Sequence, residues 1–194
     1  GIQAMNRPTV LIGGGYDKTF PVLSVIDPDL MMTVPPALTA YQGFDALFHS
    51  TEGYINNTAN LMSDLVALKA IALIGESLAA AVADGSNAKA REKMAIANTL
   101  AGIVECTSGC TSEHSIEHAM SAYHPQLPHG AGLIMISKAY YTHFANVHAC
   151  DERLVRMARA LGKQDACEPL DFVAALRDLQ KACGVGDLKM SDYG

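Results

Sequence analysis

Three clusters of polar side chains interrupt otherwise apolar stretches, and all three carry metal-binding chemistry. Such groups are costly to bury unless something pairs with them. Asp45 and His49 stand four residues apart, which on a helix puts both side chains on one face with about 6 Å of axial rise between them. One ion could be held by both, although an Asp-His hydrogen bond at this spacing is the ordinary alternative for the motif alone. His114 and His118 repeat the spacing after a loop-like break, and His129 sits between Pro128 and Gly130 at the mouth of a further helix. One carboxylate with up to four imidazoles suits a first-row divalent metal such as Fe²⁺ or Zn²⁺ rather than Mg²⁺ or Ca²⁺. Spacing leaves open which of His114 and His118 is the ligand.

A rival set exists. Cys106, Cys110, His114 and His118 also fall four apart and resemble a Cys2His2 zinc site. On one continuous helix, three steps of about 6 Å spread these groups over about 18 Å, too far for bonds near 2.3 Å. Only a chain break at Gly109 could close them. His124, His143 and His148 fit solvated or capping roles. The Gly13-Gly14-Gly15 run lacks the GxGxxG spacing of a phosphate loop and is followed by Pro21, so it is expected to be a turn. Neither a GxSxG elbow nor an HExxH pair is present, which disfavours serine hydrolysis and helix-borne metal hydrolysis.

The elements that must position these residues are helical. Pro21 to Ile26 is a β-rich run ended by Asp27-Pro28 and is expected to be a single strand. After Pro35-Pro36 the pattern changes to apolar residues at three- and four-residue spacing. Thr39 is the expected N-cap of a helix through about Ile55, followed by helices over about Asn60 to Ala83, Ala88 to Glu105, Ser112 to Tyr123, Gly130 to Ala145, Glu152 to Leu161 and Leu170 to Cys183. Gly184 is a natural stop. The fold class is mainly α with a short N-terminal β segment. Residues 1–37 form an extended leader, residues 38–194 a helical domain, and the Lys189–Gly194 end looks cut within a loop.

Composition narrows the partners. The 194 residues carry 49% hydrophobic and 18% charged side chains, a balance that buries a core. The net charge of -6 and the scattered Lys and Arg disfavour nucleic acid. No apolar run is expected to reach the roughly 20 residues that cross a bilayer. Five cysteines without pairing rhythm fit a reducing, cytoplasmic compartment.

The motifs together resemble the iron-containing, group III alcohol dehydrogenases of the glycerol dehydrogenase and dehydroquinate synthase superfamily. The likeness begins at Ser24-Val25-Ile26-Asp27-Pro28, continues through Gly43-Phe44-Asp45-Ala46-Leu47-Phe48-His49, and runs through His114 and His118 to Pro128-His129-Gly130. It implies a dehydroquinate synthase-like helical domain in which Asp45, His49, His114 and His129 bind the metal. It also implies that His118 lies beside substrate and nicotinamide. His114 and His129 are fifteen residues apart, one more than the commoner family spacing, with His124-Pro125 in the intervening loop. The implied activity is interconversion of small alcohols with aldehydes or ketones, using Fe²⁺, or Zn²⁺, and NAD or NADP. The family's amino-terminal nucleotide-binding domain is not in these 194 residues, nor are its terminal helices after Gly194, so no cofactor-binding residues are assigned. A metal-binding helical fragment without catalysis is the alternative, and assembly into a homo-oligomer is compatible with either.

Overall fold

A computed structural model describes residues 2–3, 11–12 and 20–193. Two-residue strands β1 (Ile2–Gln3) and β2 (Leu11–Ile12) pair antiparallel, with Ile2 opposite Ile12. The Gly13-Gly14-Gly15 turn lies outside the described residues. The expected strand over Pro21 to Ile26 does not form: the run is irregular, and its Val22, Leu23 and Val25 side chains are exposed. It has no neighbouring strand to accept its pairing among the described residues, and Pro21 lacks an amide to donate. A short 3-10 helix, Pro28–Met31, follows, capped by the Asp27 carboxylate, which accepts from the Asp29 amide at 3.0 Å.

Helix α1 (Pro36–Ile55) starts three residues before the expected Thr39 cap. Pro36 occupies the first helical position, where its missing N–H costs nothing and its fixed φ suits the helix. Thr39 instead lies inside the first turn, where its hydroxyl donates to the Val34 carbonyl (3.3 Å) and accepts from Arg91 Nη1 (2.7 Å). Ala40, Phe44, Leu47 and Phe48, at i, i+4, i+7 and i+8, are fully buried.

Helix α2 (Leu61–Ala83) opens with a reciprocal cap. Asn60 Oδ1 accepts from the Met62 and Ser63 amides, and Ser63 Oγ accepts from the Asn60 amide. By length and composition α2 could cross a bilayer, contrary to the sequence expectation. Here Ala67, Ala70, Ile71, Ile74 and Leu78 bury one of its faces in the core.

Helix α3 (Ala88–Ser108) runs three residues past the expected Glu105 and ends at Gly109, whose φ of 70° is left-handed. Helices α4 (Ser112–Tyr123), α5 (His129–Asn146), α6 (Asp151–Ala160) and α7 (Leu170–Ala182) follow, with Gly184 at φ 69° after α7 and a 3-10 turn over Met190–Asp192. Helices α1, α2 and α3 pack on one another, while α5 packs against α1, α4 and α7. At the centre an aromatic chain runs from Phe44 to Phe48 (6.0 Å between ring centroids), Tyr141 (6.3 Å) and Phe172 (4.9 Å). This core fixes α1 against α5, the two helices that carry Asp45, His49 and His129.

Candidate metal centre

The three polar clusters meet at one carboxylate oxygen. Asp45 Oδ1 on α1 faces Nε2 of His114 at 3.2 Å, Nε2 of His129 at 3.2 Å and Nε2 of His49 at 3.5 Å. In a tetrahedral site with bonds of about 2.0–2.2 Å, neighbouring donor atoms stand roughly 3.3–3.6 Å apart. The observed separations match those edges within a few tenths of an ångström. Asp45, His114 and His129 form a group of three potential ligands with all donor atoms within 4.8 Å of one another. The His49 and His114 rings stack at 4.1 Å between centroids.

Each imidazole is held from behind by a second carboxylate that the sequence reading missed. His114 Nδ1 donates to Glu52, His129 Nδ1 donates to Glu117, and His49 Nδ1 lies 3.2 Å from Glu105 Oε2. Such a contact fixes the tautomer that leaves Nε2 free to ligate and raises the ring's basicity. Glu52 and Glu117 are fully buried, and the polar contacts they make are what offset that cost. Their signal was present in the spacing: Glu52 follows Asp45 and His49 at i+7 and i+3 on α1, and Glu117 follows His114 at i+3 on α4.

Glu52 also builds the helix that carries His114. The N-cap residue of α4, Thr111, makes no side-chain cap of its own. Glu52 instead reaches from α1 and accepts from the amides of Thr111 (2.8 Å), Glu113 (3.0 Å) and His114 (3.2 Å), and from the Thr111 hydroxyl (2.7 Å). An anion at the amino end of a helix meets free amides and the positive end of the dipole.

Glycine places the third imidazole. A Cβ on Gly130 would stand 2.3 Å from the Tyr41 carbonyl oxygen, so only glycine lets the start of α5 press against the α1 backbone and carry His129 to Asp45. A Cβ on Gly132 would stand 2.8 Å from Glu117 Cγ, behind the same ring.

The electrostatics are those of a cation cradle. Burial acts to raise the Asp45 carboxyl, but hydrogen bonds to His114 and His129 and the His49 charge hold it well below the usual carboxylate range. Burial opposes charge on His114, yet Asp45, Cys110 and Glu52 push its pKa up to about 12. His129 is likewise opposed by burial and raised to about 9 by Asp45 and Glu117. The His49 contact, against some burial, holds Glu105 at about 2. Imidazoles that attract protons this strongly sit in a field that equally favours a divalent cation, which displaces those protons on binding. The donor set of three imidazoles and a carboxylate therefore fits a divalent metal.

His118 stands apart from the hub. Its half-buried ring lies 5.4 Å from the His129 ring and 6.1 Å from the His114 ring, and burial, with the His129 charge next, lowers its proton affinity. The Cys2His2 arrangement does not close: Gly109 does break the chain, but among these thiols only Cys110 turns toward the imidazoles, while Cys106 is exposed on α3. Burial pushes the Cys110 thiol up to about 12.

Residues 39–194 match the family model described as the Fe-containing alcohol dehydrogenase family, C-terminal. The chain is 35% identical over 177 residues to 1,3-propanediol dehydrogenase of Klebsiella pneumoniae, covering 87% of this chain and 44% of that protein. It is 35% identical over 147 residues to the NAD-dependent methanol dehydrogenase of Bacillus methanolicus, covering 76% and 38%. Among solved structures it is similar to the alcohol dehydrogenase of a halo-thermophilic archaeon from a Red Sea brine pool, with a TM-score of 0.83, 34% identity, and coverage of 93% of this chain and 46% of that one. The chain thus spans less than half the length of these relatives. With the family model matching more than three quarters of its residues, the chain belongs to the iron-containing alcohol dehydrogenase family and carries that family's C-terminal helical part.

Proposed function

We propose that this chain is the metal-holding part of an NAD(P)-linked alcohol dehydrogenase that interconverts small alcohols with aldehydes or ketones, with Asp45, His49, His114 and His129 as the ligands of one divalent metal. The observation that carries the reading is the convergence of three Nε2 atoms on Asp45 Oδ1, each ring backed by its own carboxylate. Iron is the favoured ion on family grounds, and zinc satisfies the same donors. Residues 1–37 are the link toward a nucleotide-binding part of the enzyme.

When bound, the metal supplies Lewis acidity that makes an alcohol hydroxyl easier to deprotonate and a carbonyl easier to reduce. The chain's own residues supply the rest. Glu52, Glu117 and Glu105 hold the three rings in the tautomer that presents Nε2, and Asp45 gives the site an anion that offsets half of a divalent charge. His118, beside the proposed ligands and with its proton affinity lowered by burial and by His129, would offer a ring nitrogen to the hydroxyl proton of an alcohol, and a bound nicotinamide would supply the hydride acceptor. The propanediol and methanol named for the relatives point to small primary alcohols as substrates.

The test is alcohol-dependent reduction of NAD or NADP by the purified protein after anaerobic loading with Fe²⁺ or Zn²⁺. The expected result is metal-dependent turnover of short primary alcohols. Stoichiometric metal without such turnover would favour the non-catalytic metal-binding module, and turnover of an ester without nicotinamide would replace the reading with a hydrolase.

A further inference from the structure

Beside the Asp45 hub a second set of donors converges around a thiol that the dehydrogenase reading does not use. The left-handed Gly109 turns the chain after α3 and brings Cys110 back over α1. Cys110 Sγ lies 3.2 Å from His49 Nδ1 and 2.8 Å from Glu105 Oε2, and Glu105 Oε2 lies 3.2 Å from the same Nδ1. His49, Cys110 and His114 form a further group whose donor atoms all lie within 4.8 Å of one another. Donors of a tetrahedral thiolate site, with bonds of about 2.0–2.3 Å, stand roughly 3.3–3.7 Å apart, so this set needs to open by only a few tenths of an ångström. Sulfur, imidazole nitrogen and a carboxylate oxygen together select a borderline or soft ion over Mg²⁺ or Ca²⁺.

We propose that Cys110, His49 and Glu105, with His114 in reach, form a second cation site that captures Zn²⁺ or Cd²⁺ and competes with the Asp45 centre for His49. A neutral imidazole offers a lone pair on one nitrogen only. An ion taken by Nδ1 moves the ring proton to Nε2, the atom that faces Asp45, while the thiol proton of Cys110 passes to solvent as the metal–sulfur bond forms. Filling the thiolate site therefore withdraws one ligand from the neighbouring centre. The existence of the thiolate site needs only these donors; the competition rests on the proposed role of His49.

The experiment titrates the reduced, metal-free protein with Cd²⁺ under anaerobic conditions and reads the thiolate-to-cadmium charge-transfer absorbance. The wild type is expected to develop the band over roughly one equivalent of the tightly bound ion. Cys110→Ser, nearly isosteric and able to keep its contact with Glu105, is expected to lose it. Cys106→Ser and Asp45→Ala are expected to keep it, the second because it removes the Asp45 centre and leaves the thiolate donors in place. In protein loaded with Fe²⁺, Cd²⁺ should release iron from the wild type and much less from Cys110→Ser. No band in the wild type, or a band undiminished in Cys110→Ser, overturns the site. Equal iron release from both proteins overturns the competition alone.

Discussion

Glu52 of α1 and His114 of α4 are joined twice, side chain to side chain through Nδ1 and side chain to backbone through the His114 amide at 3.2 Å. One buried carboxylate thus orients a proposed ligand and anchors the first turn of the helix that carries it. Loss of that acid reaches the metal through both connections.

Replacing Glu52 with Gln keeps an acceptor oxygen but removes the charge that caps α4 and backs His114. Metal affinity, read by competition with a chromophoric chelator, is expected to fall on the order of 10–100-fold. The thermal midpoint of the metal-free protein should also drop, because the amides of Thr111, Glu113 and His114 lose an anionic partner. Wild-type affinity in this variant would show that the carboxylate does not tune the ring.

Gly130→Ala forces a Cβ to within 2.3 Å of the Tyr41 carbonyl oxygen unless α5 retreats from α1. Overpacking of this kind costs about 1–3 kcal/mol in urea denaturation, and the retreat carries His129 away from Asp45, so metal should be lost as well. Gly102→Ala on α3 is the control: its Cβ meets nothing within 4 Å, and the helix should gain about 0.5–1 kcal/mol.

The stability of the metal-free form and its affinity for metal should respond to pH in opposite directions. His129 is raised from 6.5 to about 9, so the stability its protonated ring contributes is fully present below pH 6.5 and is lost as pH climbs toward 9. His114, raised to about 12, keeps its proton in the folded chain while the unfolded chain gives its own up above pH 6.5, so it adds to the loss of stability across the same window. Metal must displace these protons, so metal affinity should rise over the same interval. Thermal melts of chelator-treated protein, and chelator competition for the bound metal, between pH 6.5 and 9 check both slopes. A metal-free melting point that rises with pH would contradict the assignment.

His118→Ala separates proton transfer from metal binding. Metal content should stay at the wild-type level, because the His118 ring lies beside the ligand rings rather than at the Asp45 oxygen. Alcohol oxidation should fall about 10²–10⁴-fold, the usual weight of a general acid–base group. Loss of metal in this variant would make His118 a ligand, the option the four-residue spacing left open.

Much of this architecture was legible because its signals are local. Asn60 and Gly184 mark helix ends by their own side chain or lack of one, and α4 runs over the expected Ser112 to Tyr123. The errors arose where a distant partner decides. Thr39 looks like a cap, but Pro36 starts the helix and Arg91, across the fold on α3, takes the hydroxyl. Pro21 to Ile26 has strand-like residues and no strand beside it among the described residues. The meeting of Asp45, His49, His114 and His129 was expected from the motifs and the family likeness. Glu52, Glu117 and Glu105 escaped because acidic residues on helices are ordinarily solvated, and only burial reveals that two of these are not. The break at Gly109 that could close the Cys/His set does occur, but it brings only Cys110 to the imidazoles, because Cys106 stays exposed on α3.

The central claim is that one metal is shared by residues from α1, α4 and α5. Elemental analysis of the purified protein beside Asp45→Ala and His129→Ala, after anaerobic loading with Fe²⁺ and removal of loosely bound ion, tests it most directly. Roughly one equivalent is expected in the wild type and its loss in both variants, although the two positions are far apart in sequence. Retention of iron in either variant, or no stoichiometric iron in the wild type, would contradict it.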